Sequence, residues 1–209
     1  MELNWSKTVQ LRISTNELVC RPGGGEPIAC AREAVYLGGM LTCDGKAQRE
    51  LNRRLGEGRY AFKQLHRLWA HSGITRHRKL YLYMSCIASK FLYSLESVWM
   101  LKADRAKLDA FHHRCLRMIL RIPPSFVSHV PNLEVLTKSG LPLLSVVLER
   151  RQTSLYQRIV AMPDDSFIKS LVCFPSGQPK LWSAQRRRGR PRQMWNQSVY
   201  NLVSKLNAV

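Results

Sequence analysis

Ala47-Gln48-Arg49-Glu50-Leu51-Asn52-Arg53-Arg54-Leu55-Gly56-Glu57-Gly58-Arg59-Tyr60-Ala61-Phe62-Lys63-Gln64-Leu65-His66-Arg67-Leu68-Trp69 carries two patterns at once. Leu51, Leu55, Phe62, Leu65 and Trp69 fall on one stripe of a helix, with Gly58 in the stripe position between Leu55 and Phe62, so one face is apolar and must be covered. The rest of the surface is cationic: Arg49, Arg53, Arg54, Arg59, Lys63 and Arg67 stand on it, opposed only by Glu50 and Glu57. A solvated helix usually mixes both signs to gain pairs one turn apart. The stretch therefore predicts a helix with one side in a bundle and the other turned toward negative charge. A solvated basic face, with arginine stems covering apolar surface, remains the plainer reading of the same residues.

The downstream chain supplies the partners. Thr75 is placed to cap a second helix on which Leu80, Met84, Ile87, Phe91 and Leu95 recur at three- and four-residue steps. Asp104 stands at the start of a third, with Leu108, Phe111, Cys115, Met118 and Ile122 on one stripe before Pro123-Pro124 stops it. Residues 46–122 thus read as a bundle of three antiparallel helices. An irregular stretch to Gly140 is expected next, then a fourth helix carrying Leu143, Val147, Leu155 and Ile159 inward and Glu149, Arg150, Arg151 and Arg158 outward, ended by Pro163; residues 123–175 form this connection region.

Upstream, Thr8 to Ser14 alternates apolar and polar residues as a half-buried strand does, residues 21–27 read as a glycine-rich loop, and Ala34 to Leu37 with Met40 to Thr42 offer a second extended piece closed by Asp44-Gly45. Residues 1–45 are thus a β segment. Residues 176–209 read as a basic, partly disordered tail, extended from Ser176 to Arg192, with Trp195, Val199, Leu202 and Leu206 adding a short terminal helix. The fold class expected is mainly α: a short N-terminal β-hairpin, a helical bundle and a basic tail.

The 209 residues carry a formal net charge of +19. It lies in two blocks: residues 46–122 hold seventeen basic groups against five acidic, and residues 186–209 hold six basic groups and no acidic one. Neutralising phosphates with Lys and Arg releases condensed counterions, so such a surplus favours a nucleic-acid partner, RNA or DNA, without any base contact. Six cysteines without a CxxC pair read as reduced thiols. The apolar runs are broken well short of the roughly 20 residues a membrane span needs. An intracellular protein with no membrane partner is expected, and nuclear residence fits the basic tail.

Several strings in order along the chain resemble the C-terminal part of reverse transcriptases of non-LTR, LINE-type retrotransposons: Leu3-Asn4-Trp5-Ser6-Lys7-Thr8, Tyr36-Leu37-Gly38-Gly39 with Leu41-Thr42-Cys43-Asp44-Gly45, Arg53-Arg54-Leu55, Phe62-Lys63-Gln64-Leu65, and Phe111-His112-His113-Arg114-Cys115-Leu116-Arg117. Asn132-Leu133-Glu134-Val135-Leu136, Glu149-Arg150-Arg151 and Arg188-Gly189-Arg190-Pro191-Arg192 with Trp195 continue the series. The resemblance implies a late-palm remnant and primer-grip-like hairpin over residues 1–45, a thumb-like bundle over 46–122 and a helical connection after it. It makes Lys7 the match of a lysine that lies near the incoming nucleotide and serves as general acid toward pyrophosphate.

The family's activity is RNA-directed DNA polymerisation, which uses two divalent metal ions held by an aromatic-x-Asp-Asp hairpin and a further Asp. The chain has no such string, so no catalytic residue beyond the Lys7 match, no metal site and no cofactor are expected in it; magnesium would belong to a catalytic polypeptide upstream. Asp164-Asp165 follows Met162-Pro163 and reads as a helix-ending turn. On this view the chain binds an RNA or DNA duplex through Arg49, Arg53, Arg54, Arg59, Lys63 and Arg67, and through Arg186, Arg187, Arg188, Arg190 and Arg192 of the tail. The alternative is an AT-hook-like DNA-binding or scaffold protein: Arg188-Gly189-Arg190-Pro191 is also a minor-groove motif, and the helices would then serve protein contacts. His112, His113 and Cys115 stand on different faces of one helix, a poor metal set. Of the five tryptophans that could stack on bases, Trp69 belongs to a core stripe.

Overall fold

The computed structural model describes residues 4, 8–12, 27–181 and 193–207. The chain is mainly α-helical, with two small strand pairs near its N-terminus. Strand β1 (Gln10–Leu11) pairs in parallel with β2 (Cys30–Ala31), so only the centre of the alternating segment is a strand; Ile13 and Ser14 lie outside the described residues. Strands β3 (Glu33–Tyr36) and β4 (Gly39–Thr42) form an antiparallel hairpin with Tyr36 opposite Gly39. Its two turn residues, Leu37 and Gly38, have φ of 48° and 77°, the geometry that matches the twist of a two-residue hairpin. Leucine is strained there, and the Tyr93 hydroxyl holds the turn by donating to Leu37 O at 2.8 Å.

The basic stretch is two helices rather than one. Helix α1 (Gln48–Gln64) ends at Leu65, whose φ of −92° and ψ of 16° let α2 (His66–Ala70) start in a new direction. The turn brings Trp69 back over Phe62, ring centroids 5.0 Å apart, with the indole N–H donating to Phe62 O at 2.9 Å. Thr75 accepts from Arg78 N at the start of α3 (Arg76–Leu82), which continues through a π-helical turn (Tyr83–Ala88) into α4 (Ser89–Leu92). Leu95, on the same apolar stripe, is buried beyond the helix end. Phe91 explains Gly58: a Cβ at Gly58 would lie 1.5 Å from the Phe91 ring, so only glycine lets the two helices approach this closely.

Helix α5 (Lys102–Leu120), with Asp104 in its first turn, ends when Arg121 takes a left-handed conformation and Ile122 N donates back to Arg117 O, before the prolines are reached. Met118, expected on its apolar stripe, is exposed instead, and Leu116 and Ile119 take the inward positions. The stretch to Gly140 is not irregular. It holds α6 (Ser125–Ser128) and α7 (Asn132–Ser139), and what orders it is Arg117, a buried guanidinium on α5 that donates to Pro123 O, Val130 O and Asn132 Oδ1 at 3.1, 2.6 and 3.0 Å. Sequence periodicity does not register a segment held by one long side chain from elsewhere.

Helix α8 (Leu144–Val160) follows, and Asp164-Asp165 forms the turn before α9 (Phe167–Val172). One apolar core runs from Ala47 to Leu148 through α1, the α3–α4 helix, α5, Val135 and the start of α8, passing across residue 122 without a break. A second, smaller core joins Tyr156, Ile159, Cys173 and Val199, where α10 (Trp195–Asn207) packs along α8. The extended reading of Ser176 onward meets packed structure on both sides of the segment that is not described. Lys180 N donates to Val172 O, and the Asn196 amide donates to Val172 O and Lys180 O at 3.0 and 2.7 Å.

Candidate nucleic-acid interface

The cations of α1 divide into two sets. Glu50, buried near the start of the helix, receives a two-pronged contact from Arg53 at 2.9 Å and one from Arg54 Nε at 2.7 Å, and its second oxygen accepts from Met40 N of the hairpin at 3.1 Å. Both guanidiniums also reach Glu57, at 2.7 and 3.2 Å, and both donate to Gly38 O at the hairpin turn. Arg54 is only 7% exposed and lies over the Tyr93 ring, 4.7 Å from its centroid. Burial pushes the Glu50 carboxyl up, but the two guanidiniums and the Met40 N–H outweigh it and hold its pKa below the usual value. Arg53 and Arg54 thus fasten the hairpin to α1, with their donors turned inward. Arg49 is exposed and paired with Glu33 of β3.

Arg59, Lys63 and Arg67 form the other set, all exposed and without a carboxylate partner among the described residues. Arg59 lies 5.7 Å from the centroid of Phe111 on α5, and Arg121, just past the end of α5, donates to Ala70 O at the end of α2 at 2.8 Å. Between those two contacts the helices run side by side in the same direction. Lys107 and Arg114 stand seven residues apart on α5, and both are exposed, as is Arg121 beyond its end. Seven residues are nearly two turns, so Lys107 and Arg114 share one face. The contact, or seam, between the helices thus has exposed cations on both sides, and Lys107 to Arg114 covers about 10 Å of helix, the length of about three base pairs.

Four of the five acidic groups of this region are held by partners, Glu57 by Arg53 and Arg54. Glu50 and Asp104 are buried, and Asp109 accepts from Ser145 N and Oγ at 2.9 and 2.6 Å across the interface with α8. Lys107 reaches back to Asp104 at 3.4 Å; Arg114 has no such partner.

Lys7, Trp5, Trp182, Arg186, Arg187, Arg188, Arg190 and Arg192 lie outside the described residues. His112 is fully buried, its Nδ1 2.8 Å from the Tyr83 hydroxyl, whereas His113 is half-buried on another side of α5. Burial, with neighbouring His113 adding to it, lowers the His112 pKa to about 4, so it stays neutral in the core. Among the described residues no three His, Cys, Asp or Glu gather as metal ligands, and no helix is long and apolar enough to cross a membrane. Asp164 pairs with Lys169 at 2.7 Å.

Sequence reasoning passed over three working cations. Lys79, buried, donates to Trp69 O and His71 O at 2.8 and 2.7 Å and closes the end of α2. Arg105 pairs with Glu149 and lies 4.4 Å over the Trp99 ring, tying α5 to α8. Arg114 stands at the seam on the α5 side, and its seven-residue spacing from Lys107 was the available signal.

The chain is thus a mainly helical protein with exposed cations where α1 and α2 meet α5. Set against family models, curated proteins and solved structures, the chain matches none of them.

Proposed function

We propose that the chain binds nucleic acid through the α1–α5 seam, as the thumb-like part of a LINE-type reverse transcriptase would hold its template and primer. The observation that supports this reading is the set of exposed cations near the α1–α5 contact, Arg59 and Lys63 on α1 and Arg114 on α5, none with a carboxylate partner among the described residues. Phosphate contacts of this kind supply affinity that is strong at low salt and indifferent to sequence. The seam holds no group arranged for nucleotidyl transfer, so the function proposed is binding.

The rival, in which the helices serve protein contacts and only the Arg-rich segment touches DNA, draws on exposed apolar residues such as Phe126 and Phe167. Deleting residues 185–192 separates the two. With the seam as the main contact, the shortened chain keeps most of its affinity for a short RNA–DNA duplex, and the slope of log affinity against log salt falls by about 4 to 5, near 0.9 for each of the five arginines removed. Loss of all measurable binding on that deletion, at low salt, overturns the seam reading.

A further inference from the structure

The second core leaves a cavity of about 310 Å³ between α8, α10 and the turn at Gly177. Its walls are the rings of Tyr156 and Tyr200, with centroids 6.4 Å apart and planes at 62°, together with Val160 and Val203; Gln157 stands at the edge with its side chain exposed. The Tyr156 hydroxyl donates to Gly177 O at 3.0 Å, which fixes that ring as a wall. Volume, mostly apolar lining and a few polar groups at the mouth are the features of a site for a small planar ligand.

Arg150 stands on the helix face that leads to the cavity. Arg150, Arg151 and Arg158 are exposed on α8 and have no carboxylate partner among the described residues, because Glu149 is held by Arg105. Asp164, in the turn that follows, is held by Lys169, so only Asp165 there opposes the arginines. Arg150 and Gln157 are seven residues apart on one helix face, about 10 Å along the axis. A cavity walled by the partly exposed Tyr200 ring, with the unpaired Arg150 guanidinium on the same helix face, fits a base attached to a phosphate.

We infer that this cavity takes one unstacked base of a single-stranded nucleic acid against the Tyr200 ring, with a neighbouring phosphate at Arg150. The inference rests on the nucleic-acid reading above and adds a second contact that distinguishes strandedness. Stacking a base on an aromatic ring is worth on the order of 5- to 150-fold in affinity. Extruding a base from a duplex costs a comparable amount, so a paired strand gains little from the cavity.

The test uses the full chain and two labelled probes, a thymidine oligonucleotide of about 15 nucleotides and a duplex of the same length, followed by fluorescence anisotropy. Ala161→Trp adds a ring at the exposed rim of the cavity and removes nothing. It is expected to weaken single-strand binding about tenfold and to leave duplex binding within about twofold. Tyr200→Ala is expected to act the same way and Tyr200→Phe to behave as the parent; a melting curve checks that each is folded, and Ala161→Trp decides if Tyr200→Ala is not. Equal effects on both probes, or none on either, overturn the inference. The seam triple variant Arg59→Gln, Lys63→Gln, Arg114→Gln tells the two readings apart: if it weakens both probes while Ala161→Trp changes neither, only the cavity falls. If the parent chain binds neither probe, the nucleic-acid reading falls and the cavity with it.

Discussion

The first half of α1 and its second half carry the same kinds of residue and do opposite things. Arg53 and Arg54 turn inward to Glu50, Glu57 and the Gly38 carbonyl, and the hairpin is fixed by them. Arg59 and Lys63, one and two turns further, meet no carboxylate, and Phe111 beneath Arg59 only supports its side chain. What separates the halves is the position of two glutamates. A cation within one turn of Glu50 or Glu57 on their side of the helix becomes structural, and one on the α5 side stays available. Charge counted along a sequence therefore overstates the free charge at one end of a helix and understates its concentration at the other.

The sharpest way to break this comparison is to remove the acid. Glu50→Ala leaves Arg54 buried with two of its three partners and Met40 N without an acceptor, and breaking a buried pair in this way costs about 3–5 kcal/mol. The expected outcome is an unfolding free energy lowered by that amount, read as a lower urea midpoint with an unchanged slope, and the hairpin amides, Met40 among them, losing hydrogen-exchange protection first. An unchanged midpoint would mean that Arg53 and Arg54 are not structural, and the two halves of α1 would then be alike.

A second, smaller effect concerns the core that both halves share. His112 titrates near 4 when folded against 6.5 when exposed. The unfolded chain then binds more protons than the folded one between those values, so stability is full above pH 6.5 and falls as pH drops toward 4. The loss is about 3 kcal/mol at most, at 1.36 kcal/mol per unit. Melting curves across that window should show it, and His112→Asn, which keeps a polar atom near the Tyr83 hydroxyl, should flatten the dependence. Equal acid sensitivity in the two proteins would place the cause elsewhere.

The fold was legible wherever the reason for an element lay within it. The stripes of Leu51 to Phe62, Leu80 to Phe91 and Leu108 to Cys115 each became a buried helix face, and the hairpin lies where Ala34 to Leu37 and Met40 to Thr42 read as extended pieces. Gly58 occupies the apolar stripe because Phe91 takes the space of its missing side chain. Where the cause lies in a distant residue, the pattern failed. The break at Leu65 is fixed by Trp69 returning to Phe62 and by Lys79 closing α2, and α6 with α7 is organised by Arg117. The site divides in the same way. Arg59 and Lys63 could be read as available cations from spacing alone, but Arg54 could not be read as buried, because its partner Gly38 O is sixteen residues away on another element.

Salt dependence of binding tests the central claim most directly. The chain and its Arg59→Gln, Lys63→Gln, Arg114→Gln variant are titrated onto the same RNA–DNA duplex from low to moderate salt, after matched melting curves show both folded. The slope of log affinity against log salt should be shallower by about 3 in the variant, near 0.9 for each phosphate that is no longer neutralised. Identical slopes would contradict the claim, since those three cations would then touch no phosphate.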